Sequence, residues 1–154
     1  MVKTSDELVL VSFKLGNELF GIDIHQAREV IHLCEIINVP HSPNLVEGII
    51  SLRGSVVCVL DLGKRLEKAP RETKPSNRII IVDIGARVLG LIVDEVREVV
   101  RLAPEQLEPI PPEMDTIDTR FLRAVGKING QFMLVLDVDK MLSPEELLRI
   151  DSAT

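Results

Sequence analysis

The sequence predicts an all-β fold: two pseudo-repeated five-stranded barrels packed side by side, followed by a short C-terminal helix. Three observations predict it. Apolar and polar residues alternate over short runs, the period of a half-buried strand. One long stretch of the chain recurs further on at a constant offset. The amphipathic helices of about 10–15 residues that a parallel α/β sheet needs between its strands are missing. A single larger barrel or sandwich of about ten strands is the next-best architecture.

Residues 1–7 form a polar tail, expected to be flexible, and LVLVSFKLGNELFGIDI follows. Val9, Val11, Phe13 and Leu15 alternate with Leu10, Ser12 and Lys14, which reads as a strand. Gly16-Asn17 supplies a turn, and Phe20, Ile22 and Ile24 resume the alternation on the way back. The third segment is AREVIHLCEIINV, ended by Pro40. Ser42-Pro43 sets an N-cap residue before a proline and predicts a turn or two of helix. Then comes the hairpin VEGIISLRGSVVCVLDLGKRL, in which Gly54 takes the positive φ of a tight turn. Beyond that turn Val57 and Val59 point one way, and Val56, Cys58, Leu60 and Leu62 the other. Both sets are apolar, so this strand is expected to be buried on each side. Residues 67–77, EKAPRETKPSN, are charged, polar and proline-broken, the composition of a linker.

After the linker the pattern repeats. GNELFGIDIHQAREVIHL aligns with GARVLGLIVDEVREVVRL at an offset of 69, and LRGSVVCVLDLGKRL with INGQFMLVLDVDKML at an offset of 76. The difference falls in PIPPEMDTIDT, residues 109–119, too proline-rich and polar for a strand. Asn129-Gly130 marks the second copy's hairpin turn. Ser143-Pro144-Glu145-Glu146 is a capping box, predicting a helix to about Ile150. Asp61 and Asp137 end equivalent strands and read as turn-capping acids. The predicted organisation is a first barrel over 8–66, a linker over 67–77, a second barrel over 78–142, and helix and tail over 143–154.

Composition narrows the function classes. An apolar content of 45% excludes general disorder, and no apolar run approaches the ~20 residues of a membrane helix. MVKTSDE lacks the apolar core of a signal peptide, and two cysteines fit reduced cytosolic thiols. A net charge of −6 with no Trp and no Tyr offers nucleic acid neither a basic footprint nor stacking platforms.

Several motifs give the chain a family resemblance. They are Phe20-Gly21-Ile22-Asp23-Ile24, Arg28-Glu29-Val30-Ile31, Gly48-Ile49-Ile50-Ser51-Leu52-Arg53-Gly54, Val59-Leu60-Asp61-Leu62, and Gly90-Leu91-Ile92-Val93-Asp94 with Val96. In these the chain resembles the CheW-type chemotaxis coupling (adaptor) proteins, over nearly its whole length, Leu8 to Ile150. Ser51 stands where that family usually has asparagine, and Cys58 where it usually has proline. The resemblance implies SH3-like barrels, no catalytic activity and no cofactor. It also implies a cytoplasmic scaffold, held at the inner face of the membrane through receptor arrays. Such a scaffold links the cytoplasmic hairpin tips of chemoreceptors to the regulatory domain of the histidine kinase CheA, a monomer alone and an array member in complex. A CheW-like paralogue in a pilus or other non-flagellar array is the alternative. By the resemblance, the receptor-binding candidates are Ala27, Glu29, Val30, Arg53, Val96 and Val99, the valines and alanine lining a groove between the barrels. The kinase-binding candidates are Ile36, Val39 and Gly48. Glu29 and Arg53 have a blander reading as well, in which they merely pin the third strand to the hairpin.

Chemical sites are poorly supported. His25, His32 and His41 with Cys34 lack a second CxxC or HxxxH element, although His32 and Cys34 would share a strand face. Cys58 reads as a small buried hydrophobe. A ligand-binding or enzymatic double barrel would need converging polar groups, and the sequence offers none.

Overall fold

The computed structural model describes residues 7–66, 72–110 and 119–153. The strands are β1 (Leu8–Leu15), β2 (Glu18–Asp23), β3 (Ala27–His32), β4 (Val46–Leu52), β5 (Ser55–Asp61), β6 (Arg78–Ile84), β7 (Arg87–Val93), β8 (Glu95–Leu102), β9 (Leu107–Glu108), β10 (Leu122–Ile128) and β11 (Gln131–Leu136). Two α-helices accompany them, α1 (Leu62–Arg65) and α2 (Pro144–Ala153). The fold is all-β, as the alternation predicts. The tail up to residue 6, linker residues 67–71 and loop residues 111–118 lie outside the described residues.

One sheet runs β8-β1-β2-β11-β10-β9 and the other β3-β6-β7-β5-β4. Carrying the first by the repeat offsets (β1 to β6, β2 to β7, β8 to β3, β11 to β5, β10 to β4) reproduces the second. Register agrees as well: parallel β5·β7 pairs Val59 with Gly90, and parallel β11·β2 pairs Val135 with Gly21. Each sheet therefore draws on both sides of the linker, which corrects the division into barrels over 8–66 and 78–142. The β1–β2 hairpin completes the sheet of β8, β10 and β11, and the β6–β7 hairpin completes that of β3, β4 and β5.

The two sheets enclose three cores. Ile50, Val57, Val59, Ile79, Ile81 and Ile92 fill one barrel, and Leu10, Leu102, Met133 and Val135 the other. A larger core lies between them, built from Phe13, Phe20, Cys58, Leu60, Leu62, Ile80, Leu91 and Ile150 among others. The Phe13 and Phe20 rings stack there with centroids 5.9 Å apart. β5 thus faces two cores, which accounts for its apolar residues on both sides. Val56 is the exception, at 61% exposure.

Local structure follows the turn chemistry. Arg53 and Gly54 have φ of 48° and 83°, and Asn129 and Gly130 have 50° and 78°, the two left-handed residues of a type I′ hairpin turn. Ser143 and Glu146 form the capping box reciprocally: the Glu146 N–H donates to Ser143 Oγ at 3.1 Å and the Ser143 N–H to Glu146 Oε1 at 2.9 Å. α2 then continues to Ala153, past the expected end. Two expectations are corrected. Ser42-Pro43 starts no helix; the Val46 N–H closes a turn on the Pro43 carbonyl at 2.9 Å. The third strand stops at His32, and the chain touches a sheet again only where Ile37 bridges Ile49.

Candidate partner-binding faces

β3 and β8 are the end strands of their sheets, and each carries a β-bulge at the same place in the repeat. Neighbours across an antiparallel pair share a face. Val11 and Phe13 of β1, both in the central core, stand opposite Val99 and Val96. Ile80 and Val82 of β6, also in that core, stand opposite Val30 and Ala27. Residues three apart on a regular strand point to opposite faces. The extra residue of each bulge cancels this, so Ala27 and Val30, like Val96 and Val99, look toward the central core. Ala27 and Val96 pack against it, whereas Val30 and Val99 remain 41% and 55% exposed at its rim.

Glu29 lies on the opposite face of β3. Its cross-strand neighbour is Ile81, which belongs to the other core. Arg53 reaches it from the β4–β5 turn with both terminal nitrogens, Nη1 to Oε1 at 3.1 Å and Nη2 to Oε2. The hydrogen bond from Arg53 holds the Glu29 carboxyl below its usual range, and Glu29 in turn raises the Arg53 guanidinium. The Arg53 side chain is 69% exposed, so the pair ties β3 to the hairpin yet contributes little to stability. The six receptor candidates are therefore split: Ala27 and Val30 of β3 and Val96 and Val99 of β8 look toward the central core, whereas Glu29 and Arg53 meet on the far side of β3.

The kinase candidates sit together. Ile36 is half-buried against the β3–β7 barrel core, and Val39 is half-buried with its carbonyl accepting from the Ser42 hydroxyl at 2.8 Å. Gly48 is buried and presents no side chain. A Cβ there would stand 2.1 Å from the Ile37 carbonyl oxygen and 2.8 Å from Ile36 Cγ2. Its part is to let residues 36 and 37 lie flat on β4, where Ile37 and Ile49 exchange backbone hydrogen bonds of 2.8 and 2.9 Å. The side chain this displays is Ile37, 57% exposed and not among the residues singled out from the sequence. Nothing in the local sequence distinguishes it from Ile36; only the bridge to β4 decides which isoleucine faces out.

Asp61, Asp137 and His25 are engaged structurally. Asp61 accepts from the Lys64 N–H at 3.4 Å and Asp137 from the Asp139 N–H at 3.1 Å, equivalent caps in the two repeats. His25 Nδ1 lies 2.8 Å from Asp23 Oδ1. Cys34 falls beyond the end of β3, so it does not share a strand face with His32. Among the described residues no three His, Cys, Asp or Glu side chains converge. Burial pushes the Cys58 thiol up to about 11. A cleft of about 580 Å³ between α1 and α2 is floored by Phe121, Leu142 and Leu147, and Arg65 and Glu146 pair across it.

A family model described as a CheW-like domain matches residues 9–146. A chemotaxis protein CheW of Klebsiella aerogenes is 31% identical over 140 residues, covering 91% of this chain and 84% of that one. The CheW of Treponema pallidum is 29% identical over 154 residues, covering 97% and 91%. The crystal structure of the scaffolding protein TtCheW from Thermoanaerobacter tengcongensis superposes with a TM-score of 0.82 at 36% identity, over 90% of each chain. The interlocked architecture described above is the double SH3-like fold of that structure.

Proposed function

Since the chain belongs to the family of CheW-like domains, we propose that it is a non-catalytic adaptor coupling chemoreceptors to the histidine kinase CheA. The observation that carries the reading is the pair of bulges. They turn Ala27, Val30, Val96 and Val99, drawn from both copies of the repeat, toward the junction of the two barrels, and leave two valines exposed there. An apolar rim of that kind suits a helical hairpin laid along it. Glu29 and Arg53 flank it on the far face of β3. The kinase regulatory domain takes a separate surface on the β3–β7 barrel, formed by Ile36, Ile37 and Val39, with Gly48 keeping them flat. Two separate faces let one molecule bridge two partners, and repetition in an array compensates for modest individual contacts. The setting is cytoplasmic; among the described residues no helix is long and apolar enough to cross a membrane.

The test is a titration against the receptor's cytoplasmic hairpin and the CheA regulatory domain, separately and together. Saturable binding to each and co-assembly of all three are expected. Arg53→Glu should weaken receptor binding alone, and Ile37→Ser kinase binding alone, with both variants folded. Binding to neither partner, when the partners are shown to be active with a known adaptor, would overturn the reading.

A further inference from the structure

The two bulges are equivalent in position but not in how they are held. On β8 the residue facing the bulge is Ser12 of β1, which is 1% exposed. Its hydroxyl donates to the Glu98 carbonyl at 2.6 Å and accepts from the Glu98 N–H at 3.0 Å. One side chain therefore closes a ring on both backbone groups of a single bulged residue, far away in sequence. At the matching place on β6 stands Ile81, whose side chain has no group to bond Glu29. We propose that Ser12 is a positioning residue for receptor binding: by fixing the Arg97–Glu98 bulge it sets the face on which Val99 is displayed.

The physical reason is register. Val96 stands opposite Phe13 and Val99 opposite Val11 only while the extra residue is accommodated between them. If β8 slips by one position beyond residue 97, every later side chain changes face, and Val99 turns away from the barrel junction. β8 ends its sheet and is paired on one side only, so next to the burial of Leu102 at its far end the Ser12 ring is what holds the register at the bulge itself. Ser12 touches no partner itself and acts through Val99.

The inference rests on the adaptor reading for its binding consequence, though not for its structural one. Ser12→Ala should lower affinity for the receptor hairpin about tenfold and leave affinity for the kinase regulatory domain unchanged. Ser12→Thr, which keeps the hydroxyl, should restore it. Backbone NMR of Ser12→Ala should show the Glu98 amide losing protection from exchange and Val99 shifting, with β4 and β5 unaffected. Equal loss of both affinities, or unchanged receptor binding in a folded Ser12→Ala protein, would overturn the proposal. An Ala variant that fails to fold passes the test to Ser12→Cys and Ser12→Thr at the same two titrations, where receptor affinity should track hydrogen bonding to Glu98. Wild-type protein that binds no receptor hairpin sinks the adaptor reading instead. The Glu98 and Val99 signals then decide the positioning role alone, and an unchanged spectrum there overturns it.

Discussion

At position 48 the absence of a single methyl group decides whether residues 36 and 37 can rest on β4. Gly48 has φ of +152°, and an added Cβ would sit 2.1 Å from a carbonyl oxygen that is already bonded across the bridge. The carbonyl cannot retreat without breaking both Ile37–Ile49 hydrogen bonds. Gly48→Ala should therefore cost about 3 kcal/mol in urea unfolding, through strain and lost pairing together. Arg53 poses the opposite case, a long side chain at φ 48°, where asparagine is better tolerated and where the second copy of the repeat has Asn129. Arg53→Asn should leave the melting temperature unchanged or raised, while receptor binding falls with the loss of the guanidinium. A lowered melting temperature would assign the Glu29 pair to folding. Gly54 was legible in the sequence because its turn is local. Gly48 was not, since what crowds it comes from a segment eleven residues away in the chain.

Elements whose signals are local could be read directly, and α2 is the clearest. Its capping box joins Ser143 and Glu146, and Arg65 at the end of α1 reaches Glu146 as well, so one carboxylate serves both the helix end and the contact between helices. Burial alone would raise the Glu146 carboxyl, but donation by the Ser143 N–H and by Arg65 overcomes it and leaves the group below its ordinary value of 4.5. Glu146 thus ionises more readily in the folded protein than in the unfolded chain. Its stabilising contribution is complete at neutral pH and fades as the pH falls below about 4.5 through the lower folded value. Ser143→Ala should cost about 1 kcal/mol at pH 7. Glu146→Gln keeps a capping acceptor without the charge, so its stability should vary less than wild type between pH 5 and pH 3, roughly the carboxylate range. Parallel stability curves for the two proteins would refute this. The bulges and the single turn of α1 could not be read this way. A bulge in Arg-Glu-Val is decided by β1 and β6 across the sheet, and four residues of helix carry too little periodicity to register.

The repeat told which strands correspond but not with which copy each would pair. β1 beside β8 and β1 beside β3 would satisfy the same alternation and the same apolar faces, so the exchange of hairpins left no trace in the pattern. Its consequence for the whole molecule is large. β1·β2, β4·β5, β6·β7, β10·β11 and β9·β10 join neighbours along the chain, whereas β1·β8, β2·β11, β3·β6 and β5·β7 all cross the linker. Residues 8–66 without the rest would keep two hairpin-type pairings and leave β3 with no strand beside it. The central core would lose its contributors from β6, β7 and α2. The two barrels should therefore melt together, as one cooperative unit, although they look like two domains. A protease site placed within residues 67–73 makes this measurable. After complete cleavage the two fragments should co-elute on gel filtration at micromolar concentration, melt in a single transition, and separate only in denaturant. The melting temperature should become concentration-dependent, because association has turned bimolecular. Fragments that part on cleavage, each retaining a folded barrel, would show that the four crossing pairings contribute far less than the hairpins, and would restore the two-domain picture that the sequence alone suggests.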